Sequence, residues 1–183
     1  MEPQATANKW QIIIKFSLIY ALITIALDLV LYILDLQNKM SVLSTIVLIV
    51  TTLGSVYFGV ISIRDNVMNG FITYGHSVST GLLISLFAGL IVTVYTYFFE
   101  SFIDPEFMQN IINQAKRDMI ERGENEENIE RAIGMISKMN KPWIFALMGL
   151  LGQLFYGLIA SLIISNFTKR IDPDSSYNSL SNN

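Results

Sequence analysis

The 183-residue chain has no cysteine and one histidine. The first absence excludes disulfides, thiolate metal sites and cysteine nucleophiles, and leaves the redox compartment open. The second means that His76 cannot build a multi-histidine metal site alone. Charge is also scarce: acidic and basic side chains make up 15% of residues, where a soluble domain carries about 25%. A formal net charge of −3 gives no reason to expect a nucleic-acid partner. Catalytic patterns are missing too. There is no Ser/His/Asp arrangement, HExxH motif, phosphate-binding glycine loop or carboxylate pair with catalytic geometry. The expectation is a non-enzymatic chain without a cofactor.

What the chain has is apolar length. It is 52% hydrophobic, and its mean hydropathy is +0.47. Apolar runs cover residues 12–36, 42–63, 78–99 and 142–167. Each is about 20–25 residues, the length a helix needs to cross a bilayer core of about 30 Å. Lipid offers the backbone no hydrogen bonds, so such segments must be helices. The first run is longer than a signal-peptide core of about 7–15 residues and is followed by no small-x-small cleavage site, so it reads as a retained span. The expected architecture is an all-α integral membrane protein, a multi-pass four-helix bundle over residues 10–171. Residues 1–9 form a polar N-terminus, and the Ser/Asn-rich tail 172–183 is expected to be disordered.

Trp10 suits the headgroup level, and Lys15 can snorkel outward. A tight turn at Asp35–Lys39 makes the first two helices antiparallel neighbours. The second span ends at Arg64-Asp65-Asn66, where the ion pair reads as a solvated helix end. Residues 67–76 carry the turn signal Asn69-Gly70 and a further hinge at Gly75. They form either an interfacial turn or a loop pressed on the bundle mouth. The third helix starts near Ser77 and ends in Tyr95, Tyr97, Phe98, Phe99 and Phe102, which with Trp143 form one interfacial belt.

An extramembrane amphipathic helical hairpin is expected over residues 104–140. Asp104-Pro105-Glu106 is a good helix start. Met108, Ile111, Ile112, Ala115 and Met119 then share a face. Arg122-Gly123 ends that helix. A second begins near Asn125, with Ile129, Ala132, Ile133, Ile136 and Met139 on one face and Lys138 and Lys141 toward its end, before Pro142 breaks it. The two stripes pack either on each other and the membrane surface, or on a partner, since Met-rich faces re-pack easily.

An even number of spans puts both termini on one side, with Lys9, Lys15, Arg64, Lys169 and Arg170. The other side has Lys39 and the basic residues of the 100–141 loop, which also carries nine acids. Charges in short flanks weigh most, so the termini are read as cytoplasmic and the hairpin as external.

Inside the spans, small residues recur every four positions, which places them on one face. One row is Ser77, Gly81, Ser85, Gly89, Thr93; another is Gly149, Gln153, Gly157, Ser161, Ser165; Thr51, Ser55 and Gly59 form a third. Small faces let membrane helices approach closely. The rows are read as bundle interior, with a homo-oligomer seam or a hydroxyl-lined path as alternatives. Asp28 is the one acid well inside a span, where a charge costs about 2.5–3.5 kcal/mol on insertion scales. It should face the bundle or water, sharing a stripe with Thr24 and Tyr32. It is either structural or part of a proton or ion path, and Gln153 is a plausible partner. His76, beside Tyr74 and Gly75, reads as a structural or solvated side chain, with pH sensing as the alternative.

The stretch Gly70-Phe71-Ile72-Thr73-Tyr74-Gly75-His76-Ser77 followed by Gly81, and Tyr97 followed by Ile103-Asp104-Pro105-Glu106-Phe107, resemble signatures of domain-of-unknown-function family 4199. These are small four-helix bacterial membrane proteins. The resemblance covers about residues 9–170. It implies the same architecture and a bacterial inner membrane, and carries over no functional residue. Two functions lead: a non-enzymatic bundle presenting its hairpin to a membrane-protein or envelope partner, or a small transporter or channel subunit with Asp28 in a polar path; an intramembrane enzyme is a distant third.

Overall fold

The computed structural model describes residues 8–34, 36, 41–138 and 141–170. Among these residues six α-helices follow in order: α1 (Lys9–Ile33), α2 (Ser41–Asn66), α3 (Tyr74–Phe98), α4 (Phe107–Glu121), α5 (Glu126–Lys138) and α6 (Pro142–Thr168). A π-helical turn, Phe99–Ile103, extends α3. Among the described residues there is no strand, only an isolated antiparallel bridge between Ile72 and Arg170.

Among the described residues four helices are long and apolar enough to cross a membrane: α1, α2, α6, and α3 with its π-turn. The 25 residues of α1 extend about 38 Å, more than a bilayer core requires. Large apolar side chains stand exposed on each, for example Leu22, Phe58, Val94 and Phe155. Soluble monomers seldom expose apolar surface so continuously, which makes lipid the fitting surroundings and the chain a multi-pass membrane protein by length and hydropathy.

The helix ends follow local chemistry. Asn8 caps α1 in a reciprocal box: its side chain accepts from the Trp10 N–H at 3.1 Å, and its own N–H donates to Gln11 Oε1 at 3.3 Å. Pro142 opens α6, where its missing N–H is harmless. Asn125 accepts from the Asn128 N–H at 2.8 Å and starts α5. Gly123, at φ +74°, turns the chain after α4.

Two boundaries differ from the sequence reading. Helix α3 begins at Tyr74, not Ser77, because the Thr73 hydroxyl accepts from the His76 N–H at 3.4 Å and acts as a cap. Gly75 therefore lies inside the helix and is no hinge. Helix α4 begins at Phe107. Asp104 instead closes the π-turn, its N–H donating to the Phe99 carbonyl at 3.0 Å while its own carbonyl accepts from Phe107. Residues 1–7, the Asp35–Lys39 turn apart from Leu36, Met139 and Asn140 at the end of the expected hairpin, and the tail from 171 onward lie outside the described residues.

The chain forms two compact units, Met1–Val92 with Gly152–Asn183, and Thr93–Leu151. In the first, α1 packs along α2. Thr52 donates its proton to the Leu48 carbonyl at 2.7 Å, so Tyr20 donates to Thr52 Oγ1 at 2.6 Å. Ile12, Ile13, Ile63 and Ile84 form one apolar cluster, and Val56, Val60, Ile72 and Ala160 a second. In the second unit α4 contacts α5. Ile112 of α4 and Ile129 of α5 are buried, and Phe107 meets Phe145 edge-on with ring centres 5.6 Å apart.

Candidate functional site

Three arrangements in the first unit involve the residues singled out from sequence. The first is a close seam between α3 and α6. A Cβ on Gly81 would meet Ser161 Oγ, and would lie 2.8 Å from Val56 Cγ1. A Cβ on Gly157 would meet the Ser85 side chain. Ser165 donates to Ser77 at 2.8 Å. Each step of four along α3 is thus matched by a step of four back along α6, so the two helices run antiparallel with their small residues in register. The same step brings buried Gly89 to the level of Gln153, the one bulky member of the rows. Three buried polar atoms, Thr80 Oγ1, Ser85 Oγ and Gln153 Nε2, have no hydrogen-bond partner among the described residues. Gly149 lies in the other unit, and a Cβ there would meet nothing within 4 Å.

The second arrangement is a polar clasp joining the end of α2, the 67–73 turn, the start of α3 and the end of α6. Asn69 (φ 52°) and Gly70 (φ 86°) take left-handed conformations, and the Gly70 N–H returns to the Arg64 carbonyl at 2.8 Å. The turn swings Ile72 inward until it is 1% exposed. Ile72 and Arg170 exchange both backbone hydrogen bonds at 2.9 Å. Thr168 donates to the Ile164 carbonyl at 3.0 Å, so Ser77 donates to Thr168 at 2.9 Å and receives from Ser165. The sequence reading of Arg64 as a solvated helix end is corrected: it is only 9% exposed. Its Nε and Nη2 grip the Asp65 carboxylate at 2.7 and 3.2 Å, and Nη1 points at the Thr168 carbonyl at 3.4 Å. His76 stays exposed, its Nδ1 2.9 Å from the Thr73 hydroxyl.

The third arrangement is a groove of about 230 Å³ between α1 and α2. Asp28 lines it together with Thr24, Ser44, Thr45 and Thr51. Leu27, Leu31, Val47 and Leu48 supply its apolar wall. Thr24 and Asp28 share this groove as their common face implied, but Tyr32 is not among its walls. Every lining residue of the groove belongs to α1 or α2, while Gln153 sits in α6, where its Nε2 has no hydrogen-bond partner among the described residues.

Sequence reasoning passed over Ser17, whose hydroxyl reaches the Ile84 carbonyl at 3.0 Å, and the Tyr20–Thr52 pair. Their signal was a polar residue every three or four positions on α1: Ser17, Tyr20 and Thr24 continue the stripe of Asp28. It also counted Glu100 among the loop acids, whereas this side chain is buried in the π-turn. No group of three metal-ligating side chains occurs among the described residues.

No curated protein and no solved structure matches the chain. The seam, the clasp and the groove all fall within residues 15–170, the stretch that matches the family described as protein of unknown function (DUF4199), and the chain belongs to that family.

Proposed function

We propose that this is a non-enzymatic integral membrane protein of the cell inner membrane that holds α4 and α5 outside the bilayer as a docking element for a partner protein. One observation carries the reading: Thr93–Leu151 is a compact unit with its own buried residues, among them Phe99, Ile112, Ile129 and Ala146. A tether between two spans needs no core, and connections in compact proteins are commonly about 2–8 residues. Met135 is 68% exposed on α5, and Ile120 stands exposed on α4. A flexible thioether on an otherwise charged surface adapts readily to a partner. Short basic flanks support a reading with the termini in the cytoplasm and α4 and α5 on the external side.

A photo-crosslinking side chain at position 135, tested in cells, is expected to give a discrete protein adduct. Only lipid adducts, or none, would overturn the docking reading. With no native cysteine, Ser137→Cys should be labelled in intact cells by a maleimide that cannot cross the inner membrane; protection of that site would reverse the orientation.

The groove beside Asp28 favours a second reading, a small transporter or channel subunit. Four spans enclose little space, so this function would need several copies of the chain. Solute flux in reconstituted vesicles that disappears in Asp28→Asn separates it from docking.

A further inference from the structure

We propose that the exposed face of α1 near its start binds an anionic phospholipid, whose phosphate is held by Lys15 and Gln11. Such binding requires α1 to lie in a bilayer and is independent of docking by α4 and α5. Gln11, Lys15, Leu18 and Leu22 are all exposed there. They stand at i, i+4, i+7 and i+11, and so form one stripe along the helix. The polar side chains occupy the end nearer the helix start, and the leucines the turns beyond. Ile14 and Ile19 flank the stripe and are exposed as well. Cation and amide first, then hydrocarbon, is the order of a phospholipid followed from headgroup to acyl chain.

Lys15 is the decisive residue. It lies about 9 Å along α1 from Lys9. Among the described residues it makes no ion pair, and its ammonium sits 5.8 Å from the centre of the Phe16 ring. A cation on a lipid-facing surface needs a counter-charge, and this close to a helix end a lysine reaches the headgroup level. The counter-charge available there is the lipid phosphate. Side chains on a helix lean toward its N-terminus, which directs the Lys15 ammonium toward Gln11. Gln11 is oriented for the same task. Its Oε1 accepts from the Asn8 N–H at 3.3 Å in the capping box, which turns the amide nitrogen away from the cap. That nitrogen carries two N–H donors and the ammonium three, whereas ionised phosphate oxygens only accept. Hydrogen bonds between ammonium and phosphate are charge-assisted and so among the stronger ones. A zwitterionic lipid brings a second cation beside its phosphate. The acid of α1, Asp28, stands more than three turns away, too far to offset one. An anionic headgroup is therefore the better match.

Trp10, half-exposed beside Gln11 and edge-on to Phe87 with ring centres 6.3 Å apart, reports on this face. The test is quenching of its fluorescence by phospholipids brominated in their acyl chains, with the whole protein in vesicles. Trp143→Phe leaves Trp10 the only tryptophan. Brominated phosphatidylglycerol is titrated against unbrominated phosphatidylcholine, and then the reverse, which gives the relative affinity at the site. Phosphatidylglycerol should be favoured about tenfold, the order of one charge-assisted contact. Lys15→Arg should keep that preference and Lys15→Gln remove it. Gln11→Glu, which retains an acceptor for the cap but sets a negative charge against the phosphate, should remove it too. Lys169→Gln, a loss of charge on another helix, should leave it unchanged. Equal affinity for the two lipids overturns the proposal. So does a preference that survives Lys15→Gln or Gln11→Glu, or one that falls as far in Lys169→Gln, which would mark diffuse attraction. Displacement by inorganic phosphate would mark a free-anion site, and absence of quenching by either lipid would mark a face covered by a second copy of the chain; both also overturn it.

Discussion

Gly157→Leu is expected to destabilise the protein by about 3 kcal/mol or more, the upper end of what overpacking costs. The reason is local. The first carbon of any side chain at position 157 falls on the side chain of Ser85, with Ser85 Cα itself only 3.9 Å away. A rotamer change removes a hydroxyl from the way but cannot move a Cβ, so α3 and α6 must separate. Gly81→Leu should behave alike, since Ser161 Cβ at 3.0 Å and Val56 Cγ1 at 2.8 Å block it. Gly149→Ala, on the same helix as Gly157 but with nothing within 4 Å, should change stability by less than about 1 kcal/mol. Unfolding of the purified protein in detergent, followed by circular dichroism, checks the series. A Gly157→Leu variant as stable as its parent would show that the seam is not a packing face.

Arg64→Ala should cost about 2 kcal/mol, and Arg64→Lys nearly as much. Removing one partner of a fully buried ion pair costs about 3–5 kcal/mol because the other charge is stranded. Here the Asp65 side chain is 46% exposed and can be hydrated, so the loss is smaller. Lysine does not rescue, because the site uses a planar fork: two nitrogens grip one carboxylate while the third points at the last turn of α6. Hydrogen exchange at the Ile72 and Arg170 amides should rise in both variants, and equal protection in variant and parent would detach Arg64 from the clasp.

The four long apolar helices were legible because hydropathy and length are properties of each segment alone. The turns at Asn69-Gly70 and Arg122-Gly123 were legible because left-handed backbone and helix termination have few residue solutions. What depends on partners was not. Spacing of four identifies a face on α3 and another on α6, yet says nothing of which residues oppose each other; that register depends on two segments at once. Arg64 looked like a solvated helix end because sequence does not reveal that the 67–73 turn and the end of α6 fold over it. Ile72, one apolar residue in a short loop, carried no periodicity by which to recognise it as core. The start of α3 differs because Thr73, in a stretch with strong turn signals, caps the helix. The π-turn was missed because one extra residue in a helical repeat leaves no compositional mark. At Asp28 the stripe on α1 is visible, whereas much of the groove's lining, Ser44, Thr45, Val47, Leu48 and Thr51, belongs to α2.

The clasp also sets a clock. Arg64 and Thr168 stand 104 positions apart in the chain. At a synthesis rate of about 5–20 residues per second, the guanidinium and the inward edge of the 67–73 turn wait about 5–20 s before their α6 partners exist. During that interval the Ile72 amide lacks the Arg170 carbonyl. The first three long helices therefore pass through a stage in which this corner is open, and Thr168 and Arg170 are the residues whose arrival closes it.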